Sequence, residues 1–137
     1  VQTCCFGAPE RDPRGWVVSA AYLGLAPGET RAIAGDDART VGWHRVDALP
    51  ALAFDHADIL AAARQRLREL TQTSTLPLQL LPTPLRTRQA RFLYSQILGE
   101  AIKPTAFKAW LRRREAVERV GPAKFAPRPA LHPDWLR

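Results

Sequence analysis

The sequence predicts an α+β chain in two parts, a strand-rich first half followed by a helix-rich second half. Three observations carry this expectation. Val and aromatic residues cluster in short runs before residue 50, punctuated by Pro, Gly and Asp. Apolar residues then recur at helical spacing after residue 55. Charge divides the same way: residues 1–74 hold 8 Lys and Arg against 9 Asp and Glu, net −1, whereas residues 75–137 hold 12 against 4, net +8, together the formal +7. A length of 137 residues with 46% hydrophobic content suits one domain or two small ones.

The chain begins inside an apparent strand, and Trp16–Leu25 reads as a second, largely buried one ending at the turn Ala26-Pro27-Gly28-Glu29. A short strand is expected next, then a turn at Gly35-Asp36-Asp37. Val41–Val46 reads as a further strand, with Trp43 as a core or pocket aromatic and His44 solvated on the other side. Leu49-Pro50 leads into a helix that Asp55 is placed to cap, with Ile59, Leu60, Ala63, Leu67 and Leu70 on one stripe.

Thr71-Gln72-Thr73-Ser74-Thr75 reads as a short polar linker, and the domain boundary is placed there, giving domains 1–74 and 75–137. Leu76–Pro82 is an apolar segment fit to add a strand or to pack the linker. Arg88–Leu98 is predicted helical, with Phe92, Leu93, Tyr94 and Ile97 on its apolar face and Gly99 ending it. A second helix starts at Pro104, which needs no amide donor in the first turn, and runs to about Arg114. Phe107, Leu111 and Trp110 pack inward, while Thr105, Lys108, Arg112 and Arg113 project outward. Val117–Phe125 reads as a hairpin around Gly121-Pro122, with Arg119 and Lys124 placed for phosphate contact.

Several classes of function are set aside by composition. No apolar run approaches the roughly 20 residues of a membrane-spanning helix, and no signal-peptide layout opens the chain. Cys4 and Cys5 are adjacent and are the only cysteines, which makes neither a disulfide framework nor a structural zinc site. A reduced, cytoplasmic compartment is expected. The sequence contains no Met, so Val1 reads as an internal start and the chain as a fragment. The basic second half has the charge footprint of a polyanion-binding module, nucleic acid being the usual partner.

The loop before the second strand draws the ligand reading. Arg11 and Arg14 flank Asp12-Pro13, so proline stiffens the backbone between two guanidinium groups of the type that bind phosphate bidentately. His56 invites a catalytic role, but no nucleophile with a matching partner accompanies it, and packing or hydrogen bonding is the expected use. No residue is assigned as catalytic or as a metal ligand.

Four blocks in order carry a family resemblance: Arg11-Asp12-Pro13-Arg14-Gly15, the strand from Val17 to Leu23, Trp43 with Leu49-Pro50, and Phe54-Asp55-His56 opening a helix. Together they resemble the second half of Nudix-related transcriptional regulators of the NrtR type. From Leu78-Gln79-Leu80-Leu81-Pro82 the likeness continues into that family's winged helix-turn-helix, with a further match at Arg128-Pro129-Ala130-Leu131. The resemblance implies a partial Nudix-like mixed α/β domain followed by a winged helix-turn-helix. It implies a regulator sensing ADP-ribose or a related nucleotide, with Arg11, Asp12, Arg14, Phe54, Asp55 and His56 at the ligand pocket. Double-stranded DNA would meet Arg86, Arg88, Lys103, Thr105, Lys108, Arg112 and Arg113, in a homodimer reading two half-sites.

The alternative is a Nudix hydrolase of the ADP-ribose pyrophosphatase type, whose catalytic box would precede Val1; a defunct truncated relative is a third reading. Within the chain, Arg68-Glu69-Leu70 copies the core of that box, but Thr71-Gln72-Thr73 follow where two glutamates are required and Leu60 stands where another belongs. No cofactor is therefore expected here, magnesium entering only with an upstream box. The helix from Pro104 also departs from the family, reading Ala106-Phe107-Lys108-Ala109-Trp110 where Asn-Phe-Arg-Arg-Lys is typical, so the family's operator preference does not transfer. Arg86-Thr87-Arg88 likewise replaces a Phe-Thr-Leu-like entry and adds charge without a sequence code. Half a Nudix sheet would leave strand edges and an apolar face uncovered, so self-association or a covering partner chain is expected.

Overall fold

The computed structural model describes residues 1–26, 28, 30–35, 40–114, 117–121 and 124–127. The chain resolves into two compact units, Val1–Gln65 and Arg66–Arg137.

In the first unit, β1 (Gln2–Phe6) and β2 (Ser19–Tyr22) form a two-stranded antiparallel sheet. Phe6 pairs with Ser19, Cys5 with Ala20 and Cys4 with Ala21, and an irregularity follows toward Gln2 and Tyr22. The Thr3 hydroxyl donates to the Ala21 carbonyl at 2.9 Å. Strand β2 is shorter and far more open than the expected buried run Trp16–Leu25. Trp16 is 75% exposed, and Val17, Val18 and Tyr22 are exposed with it. The physical reason is that β2 pairs with β1 alone, and two strands present apolar side chains without a packed layer to receive them.

The strands expected after that turn and over Val41–Val46 do not form among the described residues. Trp43, expected as a core or pocket aromatic, is 74% exposed and so is not in a core, while His44 is exposed as anticipated. β-propensity needs a neighbouring strand to become structure, and among the described residues none lies beside this segment. Of the turns proposed here, Pro27, Glu29, Asp36 and Asp37 lie outside the described residues.

Helix α1 (His56–Thr73) carries the predicted stripe, with Ile59, Leu60, Ala63, Leu67 and Leu70 all half-buried. Thr71, Gln72 and Thr73, expected in a linker, form its last turn instead. Their hydroxyls explain it: Thr71 donates to the Leu67 carbonyl at 2.6 Å, Thr73 to Glu69 at 2.7 Å, and Ser74 to Leu70 at 2.6 Å. Each folds back on a carbonyl four residues earlier, so polar side chains close the helix end rather than loosening it.

In the second unit, Leu76–Leu80 forms a short 3₁₀ turn that seats Leu78 at the centre of the core with no exposure. The apolar segment therefore packs and adds no strand. After it come β3 (Leu85–Arg86), α2 (Thr87–Leu98), α3 (Pro104–Arg113), β4 (Val117–Gly121) and β5 (Lys124–Pro127). The three strands form one antiparallel sheet in the order β3-β5-β4, Arg86 pairing with Lys124 and Arg119 with Phe125. Pro122, Ala123 and the block Arg128–Leu131 lie outside the described residues, as do the side chains of Arg119 and Lys124.

Leu78, Leu85, Ala90, Tyr94, Phe107 and Leu111 form the core, with Leu81, Ile102 and Trp110 packed against it. Phe92 departs from the predicted apolar face of α2 and is 64% exposed. Helical spacing decides this: Ala90 and Tyr94, four apart, fix the buried side, and Phe92 midway between them turns away. Gly99 closes α2 in the left-handed region at φ 75°, its amide donating to the Ser95 carbonyl at 2.9 Å, where any other residue would be strained. The turn into α3 is latched by the Arg91 guanidinium on the Ile102 carbonyl at 2.9 Å and by the Ile102 amide on the Ser95 hydroxyl at 3.3 Å.

Candidate functional site

The loop from Phe6 to Val18 is shaped by its own polar groups. Asp12 accepts the Arg14 amide at 2.9 Å, and its carbonyl accepts the Gly15 amide at 3.2 Å, so one aspartate folds the turn through side chain and main chain. Gly15 sits at φ 155°, outside the range most side chains allow. The Trp16 indole donates to the Gly7 carbonyl at 2.9 Å across the mouth of the loop.

Within it the sequence-predicted residues come together. Arg11 donates from Nε to Asp55 Oδ2 at 2.6 Å and from Nη2 to Oδ1 at 2.7 Å. Its Nη1 reaches the Ser19 hydroxyl at 2.9 Å, a partner the residue pattern gave no reason to single out. Arg14 grips Asp12 in the same way, Nη2 to Oδ2 at 2.7 Å and Nε to Oδ1 at 3.0 Å. Both guanidinium forks expected to meet phosphate thus meet carboxylates of this chain. The Arg14 hydrogen bonds hold the Asp12 carboxyl down at about 2, and the Arg11 hydrogen bond holds that of Asp55 below its usual value.

The two arginines differ in reach. The Arg11 side chain is only 7% exposed, whereas that of Arg14 is 75% exposed and lies over the Phe54 ring at 5.5 Å. Phe54 adopts the left-handed region at φ 51° and is 52% exposed, and the His56 ring meets it edge-on at 6.0 Å. Asp55 starts α1 through its main chain, its carbonyl accepting the amides of Asp58 and Ile59, which leaves the carboxylate to Arg11. Arg14, Phe54 and His56 therefore share one exposed, aromatic surface, with the charge of Arg14 balanced by the buried Asp12 and that of Arg11 by Asp55. Next to the start of α1, Leu49, Pro50, Leu52, Ala57, Leu60, Ala61 and Arg64 line an apolar groove of about 280 Å³.

No three His, Cys, Asp or Glu among the described residues are grouped to hold a metal ion. With Asp12 and Asp55 both bound to arginines, these residues do not fit a magnesium site.

In the second unit, the basic and polar residues singled out from the sequence are solvent-facing. Thr105, Lys108, Arg112 and Arg113 are exposed on α3, while Phe107 and Leu111 are buried beneath. Lys103 stands exposed at the α3 start, and Arg86 and Arg88 are exposed where α2 begins. Under α3, Tyr94 meets Phe107 at 5.3 Å and Trp110 at 5.1 Å, and Phe107 stacks on Trp110 at 5.7 Å. One cation that the outward list omitted stands out: Arg114 donates from Nη1 to the Thr73 carbonyl at 2.6 Å and from Nη2 to the Gln72 carbonyl at 3.2 Å. Its signal in the sequence is faint, a third arginine after Arg112-Arg113. No helix among the described residues is long and apolar enough to cross a membrane.

No family model matches the chain. It is 32% identical over 132 residues to an ADPR responsive transcriptional repressor NtrR of Acinetobacter baylyi, covering 94% of this chain and 53% of that protein. It is 43% identical over 56 residues to an ADP-ribose pyrophosphatase of Methanocaldococcus jannaschii, covering 40% of this chain and 32% of the relative. The chain thus spans about half the length of the first of these relatives and a third of the second. Among solved structures, Shewanella oneidensis NrtR superposes with a TM-score of 0.77 at 26% identity, over 93% of this chain and 63% of that one. The same protein complexed with a 27mer DNA matches in fold at 0.72 and 22% identity, over the same shares of the two chains. A MutT/nudix family protein from Enterococcus faecalis matches at 0.74 and 29% identity, over 94% of this chain and 61% of that one.

Proposed function

We propose that this chain, whose relatives and structural neighbours include an ADPR responsive transcriptional repressor and Shewanella oneidensis NrtR, carries the ligand-sensing and DNA-binding parts of an ADP-ribose-responsive repressor. The observation that carries the reading is the α3 surface. Thr105, Lys108, Arg112 and Arg113 face solvent over a tightly packed aromatic floor, in a chain similar along 94% of its length to an ADPR responsive repressor.

In this reading residues 75–137 are a winged helix-turn-helix, α2 and α3 being the helix pair and the β4–β5 hairpin the wing. Lys103, Lys108, Arg112 and Arg113 meet phosphates and base edges with Thr105, and Arg86 and Arg88 add backbone contacts. Residues 1–74 sense the nucleotide. Arg14 offers cationic charge to the diphosphate, Phe54 and His56 offer ring surface to the base, and Arg11, Asp12 and Asp55 hold that arrangement. The working form is a homodimer on two half-sites, in the cytoplasm with the DNA it binds, and it needs no cofactor. Ligand and DNA must favour different arrangements, so that ADP-ribose releases the DNA. The hydrolase alternative rests on the shorter pyrophosphatase match and needs a catalytic box upstream of Val1 to supply the magnesium ligands.

The test is fluorescence anisotropy of the full chain on duplex DNA from upstream of its own coding sequence, across a salt series, with and without ADP-ribose. Steep salt dependence with release by ADP-ribose is the expected result. Absence of binding at low salt overturns the reading.

A further inference from the structure

Helix α1 ends at Thr73, and the last carbonyls of a helix have no partners within it. Arg114, the first residue past α3, supplies them: its guanidinium spans the carbonyls of Thr73 and Gln72 and lies over the Trp110 ring at 5.6 Å. A cation at this end also complements the helix dipole. Beside it, the Tyr94 hydroxyl donates to the Ser74 carbonyl at 3.1 Å, a second tie between the same helix end and the floor under α3. Arg114 therefore differs from its neighbours Arg112 and Arg113. Among the described residues the side chains of those two make no hydrogen bond, whereas the Arg114 fork is committed to backbone oxygens.

We propose that Arg114 is a positioning residue for the DNA-binding surface, locking the C-terminal ends of α1 and α3 together so that α3 follows α1. The inference rests on the regulator reading above. Because α1 begins at His56, directly after the Arg11-bound Asp55, a nucleotide that disturbs the Arg14–Phe54 surface has this helix as its route to Arg114.

The experiment compares the full-length wild type, Arg114→Gln and Arg113→Gln in the anisotropy assay, with ADP-ribose binding followed separately by calorimetry. A phosphate contact removed by substitution lowers the slope of log K against log salt by about 0.9. Arg113→Gln is expected to do that. Arg114→Gln is expected to weaken DNA binding about tenfold at every salt concentration, the loss of two hydrogen bonds, with the slope unchanged. It should also lose the response of DNA affinity to ADP-ribose while ADP-ribose still binds. If Arg114→Gln does not fold, Arg114→Lys, which keeps the charge on a single donor nitrogen but loses the two-point fork, should show the same pattern to a smaller degree. A fall in slope, or affinity and response equal to wild type, overturns the inference alone. Failure of the wild type to bind DNA overturns the regulator reading and the inference with it.

Discussion

Arg11 and Asp55, 44 residues apart in the chain, meet in a two-point ion pair at 2.6 and 2.7 Å. The pair joins the loop before β2 to the residue that starts α1, and the Ser19 hydroxyl takes the remaining edge of the guanidinium at 2.9 Å. With the Arg11 side chain 7% exposed, removing its counter-charge leaves a cation with little access to water. Asp55→Asn is therefore expected to loosen the loop and weaken ADP-ribose binding about tenfold, the scale of one charge-assisted hydrogen bond. Calorimetric titration measures the affinity, and faster exchange of the Arg11 Nε proton reports the loosening. Unchanged values for both would mean that Asp55 does not brace the surface.

Acid should act on the same loop. Asp12 and Asp55 carry folded-state carboxyls below their ordinary value of 3.8, Asp12 at about 2. A depressed carboxyl stabilises the fold fully above its unfolded value, and that contribution fades as pH falls toward the folded one. The loop should therefore hold above about pH 4 and loosen between pH 4 and 2, seen in the Trp16 indole NMR signal that reports its bond to Gly7. A signal flat across that window would contradict the arginine pairing.

Tyr94 tests the floor beneath α3. It is 2% exposed, and burial pushes its phenol well above the ordinary value of 10.0. In a Tyr22→Phe background, where Tyr94 is the remaining tyrosine, the 295 nm phenolate absorbance should rise only at a pH clearly above the ordinary phenol range. Tyr94→Phe leaves the Ser74 carbonyl without that donor and should cost about 1 kcal/mol, whereas Phe107→Ala empties the core centre and should cost about 3–5 kcal/mol. Urea unfolding followed by circular dichroism separates the two.

The second unit was largely legible in the sequence because its elements are local. Pro104, Gly99 and the spacing of Phe107 and Leu111 fix α3 and its buried face within ten residues or so, and the structure agrees. The first unit was less legible. Trp43 and Val41 have strand-forming side chains, yet a strand exists only when another lies beside it, which no local pattern guarantees. Among candidate site residues, the grouping of Arg11, Arg14, Phe54 and Asp55 was anticipated. Their internal pairing was not, because whether an arginine faces a ligand or an aspartate 44 residues away depends on tertiary approach. The Thr71–Thr73 turn reads as linker chemistry for a related reason, since hydroxyls serve helix ends as readily as loops.

Lys108 and Arg112, four apart on α3 and both exposed, are the residues whose loss should be read most directly in salt dependence. If each neutralises one phosphate, the double substitution Lys108→Gln/Arg112→Gln lowers the slope of log K against log salt by about 1.8. Because phosphate contacts carry no sequence information, the loss should be equal on the chain's own upstream DNA and on an unrelated duplex. Neither side chain contributes to the core, so the melting temperature should stay within about 5 °C of wild type, the scale of about 0.5 kcal/mol for each surface substitution. A loss confined to one sequence would instead assign Lys108 or Arg112 to base edges, with lysine or arginine on guanine the expected pairing. Anisotropy on the two duplexes, at four or so salt concentrations, distinguishes these outcomes.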